Sequence, residues 1–101
     1  MGGTLLRVEI DDEALAEAVD AQAYYAALRA DLAVDFAKAL DRAIARIASH
    51  PLTWPPYTAN TRRYLMDRFP YAVIYRINGD VLHILAVAHQ HRRPGYWTRR
   101  I

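Results

Sequence analysis

At 101 residues, with hydrophobic residues at 53% and charged residues at 24%, the chain has the composition of one globular domain rather than of a disordered segment. It has no cysteine, which excludes a disulfide framework, a thiol nucleophile and a Cys-ligated zinc site. No stretch approaches the roughly 18 apolar residues of a membrane span, and Met1 to Ile10 lacks the apolar run of a secretory signal, so a cytoplasmic protein with no membrane partner is expected. The net charge of +2 hides a division: residues 1–41 carry nine acids and three bases, whereas residues 42–101 carry ten bases and two acids. Twelve of the thirteen bases are arginine, whose planar fork fits phosphates and carboxylates.

Thr4 to Ile10 reads as a first strand, with Leu6, Val8 and Ile10 on one face. Asp11 or Asp12 caps a helix running to about Leu28, whose inward stripe is expected to be Leu15, Ala18, Val19, Gln22, Tyr25 and Ala26. A second helix, from Ala30 or Asp31 to Ser49, presents Leu32, Phe36, Leu40, Ala43, Ile44 and Ile47. The short connection makes the two an antiparallel hairpin. Pro51, Pro55 and Pro56 make Ser49 to Asn60 a loop, which also carries Trp54 and Tyr57.

The remainder reads as β structure. Arg62 to Met66, Tyr71 to Ile77 and Val81 to Ala88 are strands, the last two joined at Asn78-Gly79, a pair suited to positive φ at both turn positions. Ile84 to Val87 lack alternation, so this strand is expected to be central and covered on both faces. The predicted order is β-α-α-β-β-β, an α+β fold with a helical hairpin on one face of a twisted, mainly antiparallel sheet. The other face, with the basic tail from Gln90 to Ile101, is left for function.

An ordered series of marks follows this frame. Tyr24-Tyr25 lies in an Ala-rich helix, and the next helix ends in Ile47-Ala48-Ser49-His50-Pro51. Arg62-Arg63 and Phe69-Pro70-Tyr71 come next, then Ile84-Leu85-Ala86-Val87-Ala88-His89, Arg92, Arg93-Pro94 and Tyr96-Trp97. Over nearly the whole chain the series resembles the RelE/ParE toxin superfamily, closest to ParE-like plasmid stabilisation toxins. The resemblance implies the toxin of a type II toxin–antitoxin system, with a cognate antitoxin as partner in a hetero-oligomer. It implies one of two targets: DNA gyrase, poisoned without catalysis, or the ribosome, where RelE-like members cut messenger RNA. An inactive antitoxin-binding module is a third possibility.

A metal-independent ribonuclease must activate a 2′-hydroxyl, stabilise the phosphorane and protonate the leaving oxygen. The resemblance places Tyr96 at the family's C-terminal tyrosine and Arg63 near a phosphate-binding basic position. Two other basic positions are Ala72 and Gln90 here, and the usual lysine cluster is replaced by the Pro51 to Tyr57 loop, departures that favour the gyrase mode. His89 and His91, two residues apart on an extended chain, could join Tyr96 as an acid–base cluster, or be a strand end and a solvated loop residue. Arg62, Arg63, Arg92, Arg93 and Trp97 are the candidate target- or nucleic-acid-binding residues, among a basic set that includes Arg68, Arg99 and Arg100, while Tyr96 and Trp97 either stack on bases or pin the tail to the sheet. His50 and His83 read as structural, and the acids Asp11, Asp12, Glu13 and Glu17 as ordinary helix-start chemistry. No Gly-rich phosphate loop or nucleophile motif occurs, and no cofactor or metal is expected.

Overall fold

The computed structural model describes residues 6–101; the predicted start of the first strand at Thr4 lies outside them. Strand β1 (Arg7–Ile10) leads into helix α1 (Asp12–Leu28) and helix α2 (Ala30–Ser49). Strands β2 (Pro56–Tyr57), β3 (Thr61–Leu65), β4 (Tyr71–Asn78) and β5 (Val81–His89) follow, and a 3₁₀ turn (Thr98–Arg100) ends the chain. The five strands form one sheet in the order β1-β5-β4-β3-β2, antiparallel except for the parallel pair β1 and β5. The architecture is the expected α+β fold, with β5 an interior strand beside the middle strand β4 and the two helices on one face. No helix among the described residues is long and apolar enough to cross a membrane.

Local chemistry sets the helix boundaries. The Asp11 carboxylate accepts the Glu13 N–H at 2.8 Å, satisfying one of the free donors at the start of α1. Arg29 alone joins the helices: its extended backbone (φ −160°) breaks the helical path, and its N–H closes α1 on the Tyr25 carbonyl. The hairpin is held against the sheet by an aromatic cluster. Phe36 meets Tyr25, Phe69 and Tyr71 with ring centres 5.3 to 5.5 Å apart, two of the three contacts edge-to-face.

Three sequence expectations need correction. The inward face of α1 is Ala14, Ala21 and, half-buried, Glu17, Ala18 and Tyr25, whereas Leu15 and Val19 are 52% and 57% exposed. The stripe is rotated because the small alanines let the helix approach β5 closely, and because Glu17 faces inward to partners described below. Secondly, the proline-rich loop contributes Pro56–Tyr57 as a two-residue edge strand on β3. Proline has no N–H to give a ladder, and an edge position asks for none on the open side. Thirdly, the β4–β5 loop is Gly79-Asp80, since Asn78 pairs with Val81. Only Gly79 has positive φ (62°), the single position where the turn needs a residue free of Cβ.

The irregular run in β5 has a structural cause besides burial on both sides. Ile74 pairs with Ala86 but Tyr75 with Ile84, so Leu85 is an extra residue in β5. The insertion resets the alternation. Leu82, Ile84 and Val87 pack under the helices, while Leu85, Ala86 and Ala88 pack on the opposite face.

That opposite face is not left open. The tail folds across it and seats Trp97, 2% exposed, on Ala72, Ile74, Leu85, Ala86 and Ala88. Tyr57 of β2 stacks on the indole, ring centres 5.5 Å apart and planes 23° apart. Trp97 is thus a core residue of the second face, not a surface ring available to a base. Burying the indole contributes on the order of 2–3 kcal/mol from area, offset in part by about 1–3 kcal/mol for its buried Nε1–H, which has no hydrogen-bond partner.

Candidate functional site

The site forms where α1, the end of β5 and the tail meet. β1 pairs with β5 only as far as Ile10 and Ile84, so beyond Ile84 the β1-side edge of β5 has no strand beside it. Side chains satisfy that edge instead. The Val87 N–H donates to Glu17 Oε1 at 3.0 Å, and Arg100 donates from Nη1 to the Leu85 carbonyl at 3.0 Å. Arg100 also meets the Glu17 carboxylate with both terminal nitrogens, at 2.9 and 3.2 Å. The Tyr96 hydroxyl donates to Glu17 Oε2 at 2.5 Å. One carboxylate therefore ties helix, strand and tail together.

The electrostatics follow from this arrangement. The Arg100 side chain is 5% exposed and that of Glu17 is 16% exposed. Burial opposes the charge on Arg100, but the hydrogen bond to Glu17 and its negative charge outweigh that cost and raise the guanidinium pKa. Burial, and then the Glu17 hydrogen bond and charge, push the Tyr96 phenol well above its ordinary range, against the weaker pull of Arg100 and Arg92. Glu13 extends the latch, accepting Arg99 at 2.6 Å. Glu13 and Glu17, which by position in the chain read as ordinary helix-start acids, are the tail's anchors.

Above the latch lies a groove of about 560 Å³ whose wall includes Tyr24, Tyr25, Tyr71, His89, Arg92 and Tyr96. His89 and His91 lie together, ring centres 5.1 Å apart, and the His91 N–H donates to His89 Nδ1 at 3.1 Å. A neutral His89 therefore carries its proton on Nε2. Tyr71 meets the His89 ring edge-on at 5.1 Å. His89, Arg92 and Tyr96 thus share one groove, with the exposed His91 beside it.

The remaining candidate arginines divide by partner. Arg62 donates from Nη1 to the Trp54 carbonyl at 2.6 Å and the Leu52 carbonyl at 3.4 Å, so it pins the proline-rich loop. Arg68 pairs with Asp35 at 3.4 Å. Arg63 lies over the Tyr57 ring at 4.3 Å and Arg92 over Tyr96 at 4.0 Å, each without an acid among the described residues. Arg93 is exposed. No group of three or more His, Cys, Asp or Glu residues suited to a metal occurs among the described residues.

Glu17 is the residue that sequence reasoning missed. The available signal was its spacing: it stands three residues after Ala14 and four before Ala21, a carboxylate on a stripe of small residues that a helix buries.

The comparisons with known proteins agree with this architecture. No curated protein is significantly similar in sequence. A chain from a solved structure described as the chromosomal ParDE toxin–antitoxin system of P. aeruginosa is similar in fold. It has a TM-score of 0.75 at 15% identity, over 84% of this chain and 96% of that one. The model of the ParE toxin family of the type II toxin–antitoxin system parDE matches residues 8–94. With that match spanning most of the chain, and with the helical hairpin and five-stranded sheet in place, the protein belongs to the ParE toxin family of type II toxin–antitoxin systems.

Proposed function

We propose that this toxin arrests growth in the cytoplasm by binding a protein target, DNA gyrase, without nuclease chemistry of its own, and that a cognate antitoxin neutralises it. The observation that carries this reading is the state of Tyr96. Its hydroxyl is held by Glu17, and its pKa is raised far from the range useful for proton exchange. Two further candidates are committed elsewhere, Arg62 to loop carbonyls and Trp97 to the core. An antitoxin segment has an apolar strip to cover, since Val8, Ile10, Leu15 and Val19 are all 39% or more exposed.

The test is supercoiling by purified gyrase with toxin, and with toxin plus antitoxin. Inhibition relieved by antitoxin is expected; undisturbed supercoiling overturns the proposal. The grouping of His89, His91 and Arg92 at the groove favours one rival, messenger RNA cleavage in the ribosomal A site. Primer extension on a translated message decides it: new ends at A-site codons, lost in His89→Ala with His91→Ala, would establish the nuclease. A toxin silent in both assays would be an antitoxin-binding module.

A further inference from the structure

Two arginines without an acid partner frame a second cavity, of about 330 Å³, on the sheet face away from the helices. Ala72, Ile74 and Ala88 at its base are 7% exposed or less beneath Trp97, so its accessible apolar side chain is Leu65, 51% exposed. Arg63 and Arg92 both line it. Among the described residues neither guanidinium has an ion-pair partner, whereas Arg68, Arg99 and Arg100 each meet a carboxylate. Arg63 lies over the Tyr57 ring and Arg92 over the Tyr96 ring, contacts that hold each guanidinium in place without using its charge on an acid. A guanidinium is the fork that fits a planar anion.

We propose that this cavity captures an acidic peptide segment of a protein partner. Its carboxylates meet the Arg63 and Arg92 guanidinium groups, and an adjoining apolar side chain lies against the exposed Leu65. The inference rests on the reading that the toxin acts by binding protein. It favours peptide over nucleic acid because the aromatic faces that would stack bases are occupied. Tyr57 carries both Trp97 and Arg63, and Tyr96 carries Arg92 and, at 5.1 Å, Arg100. The exposed Leu65 suits an aliphatic side chain better than a sugar–phosphate chain. The ten bases against two acids in residues 42–101 steer an acidic segment toward this end of the molecule.

The experiment titrates the full-length toxin into a fluorescein-labelled peptide of alternating Asp and Leu, and into a labelled oligouridylate of equal net charge, reading anisotropy at fixed ionic strength. The peptide is expected to bind the more tightly. Arg63→Gln and Arg92→Gln should each weaken it about tenfold. Arg42→Gln, which removes an exposed charge on α2, should change it by less than about twofold. Tighter binding of the oligouridylate would reassign the cavity to nucleic acid. An equal loss in Arg42→Gln, or no peptide binding, would overturn the site outright. Thermal melts confirm that each variant is folded. Gyrase inhibition is measured separately on the same variants. Peptide capture without gyrase inhibition would sink the gyrase reading alone, and the converse would sink this site alone.

Discussion

Replacing Glu17 by alanine should undo the junction of helix, strand and tail. The change removes the acceptor for the Val87 N–H, the Tyr96 hydroxyl and both Arg100 terminal nitrogens at once. Arg100 is the costly orphan, because its side chain is 5% exposed and its remaining acid, Glu13, lies 3.5 Å from Nε on a half-exposed side chain. Removing one partner of a buried pair costs about 3–5 kcal/mol. That is a large share of the roughly 5–15 kcal/mol that holds a small domain together. Each kcal/mol moves Tm by about 4–8 °C in a chain of this length, so Tm should fall by at least about 12 °C. Urea unfolding followed by circular dichroism measures the loss directly. The double variant Glu17→Gln with Arg100→Met removes both charges and should recover most of the loss, since no buried charge is then left alone. A loss under about 1 kcal/mol in Glu17→Ala, the scale of an exposed ion pair, would refute this account and leave Trp97 as what holds the tail.

Three other outcomes follow. The raised pKa of Tyr96 means the folded state keeps a proton that the unfolded chain loses near the ordinary tyrosine value of about 10, so this contribution is full below that pH and declines above it. Alkaline melts should fall less steeply in Tyr96→Phe, although Tyr25, Tyr71 and Tyr75, also raised by burial, will keep part of the slope. Arg62→Gln should lower stability by about 1.5–3 kcal/mol, through the lost charged hydrogen bond to the Trp54 carbonyl, while growth arrest by the folded protein persists. Loss of arrest without loss of stability would return Arg62 to the binding surface. Trp97→Ala should cost about 3–5 kcal/mol and free the tail to proteolysis at its arginines, read by limited trypsin digestion; an unchanged cleavage pattern would contradict its seat on the sheet.

What could be read from the chain alone was what local chemistry encodes. The bounds of α1 and α2 followed from Asp11 as a cap, from apolar spacing in α2 and from Pro51 just beyond it. The last three strands followed from their β-branched and aromatic runs, and the α+β order from these elements together. The ordered marks from Tyr24 to Trp97 carried the family. Which face of α1 is buried was not legible, because alanines lie on several sides of that helix and apolar spacing fits two stripes equally well. The Gly79-Asp80 loop differed by one residue from the Asn-Gly reading because pairing along β4 and β5, not the dipeptide, fixes the register. The partners of the site were decided only by tertiary structure. Glu17 and Arg100 are 83 residues apart, and nothing in either neighbourhood says that a short β1 leaves the β5 edge for them to satisfy. Only once the tail crosses the sheet does Trp97 become core, Tyr96 become locked, and Arg63 and Arg92 remain as cations without an acid. Capping and periodicity act within a few residues, whereas burial and charge pairing depend on which distant segments the fold brings together.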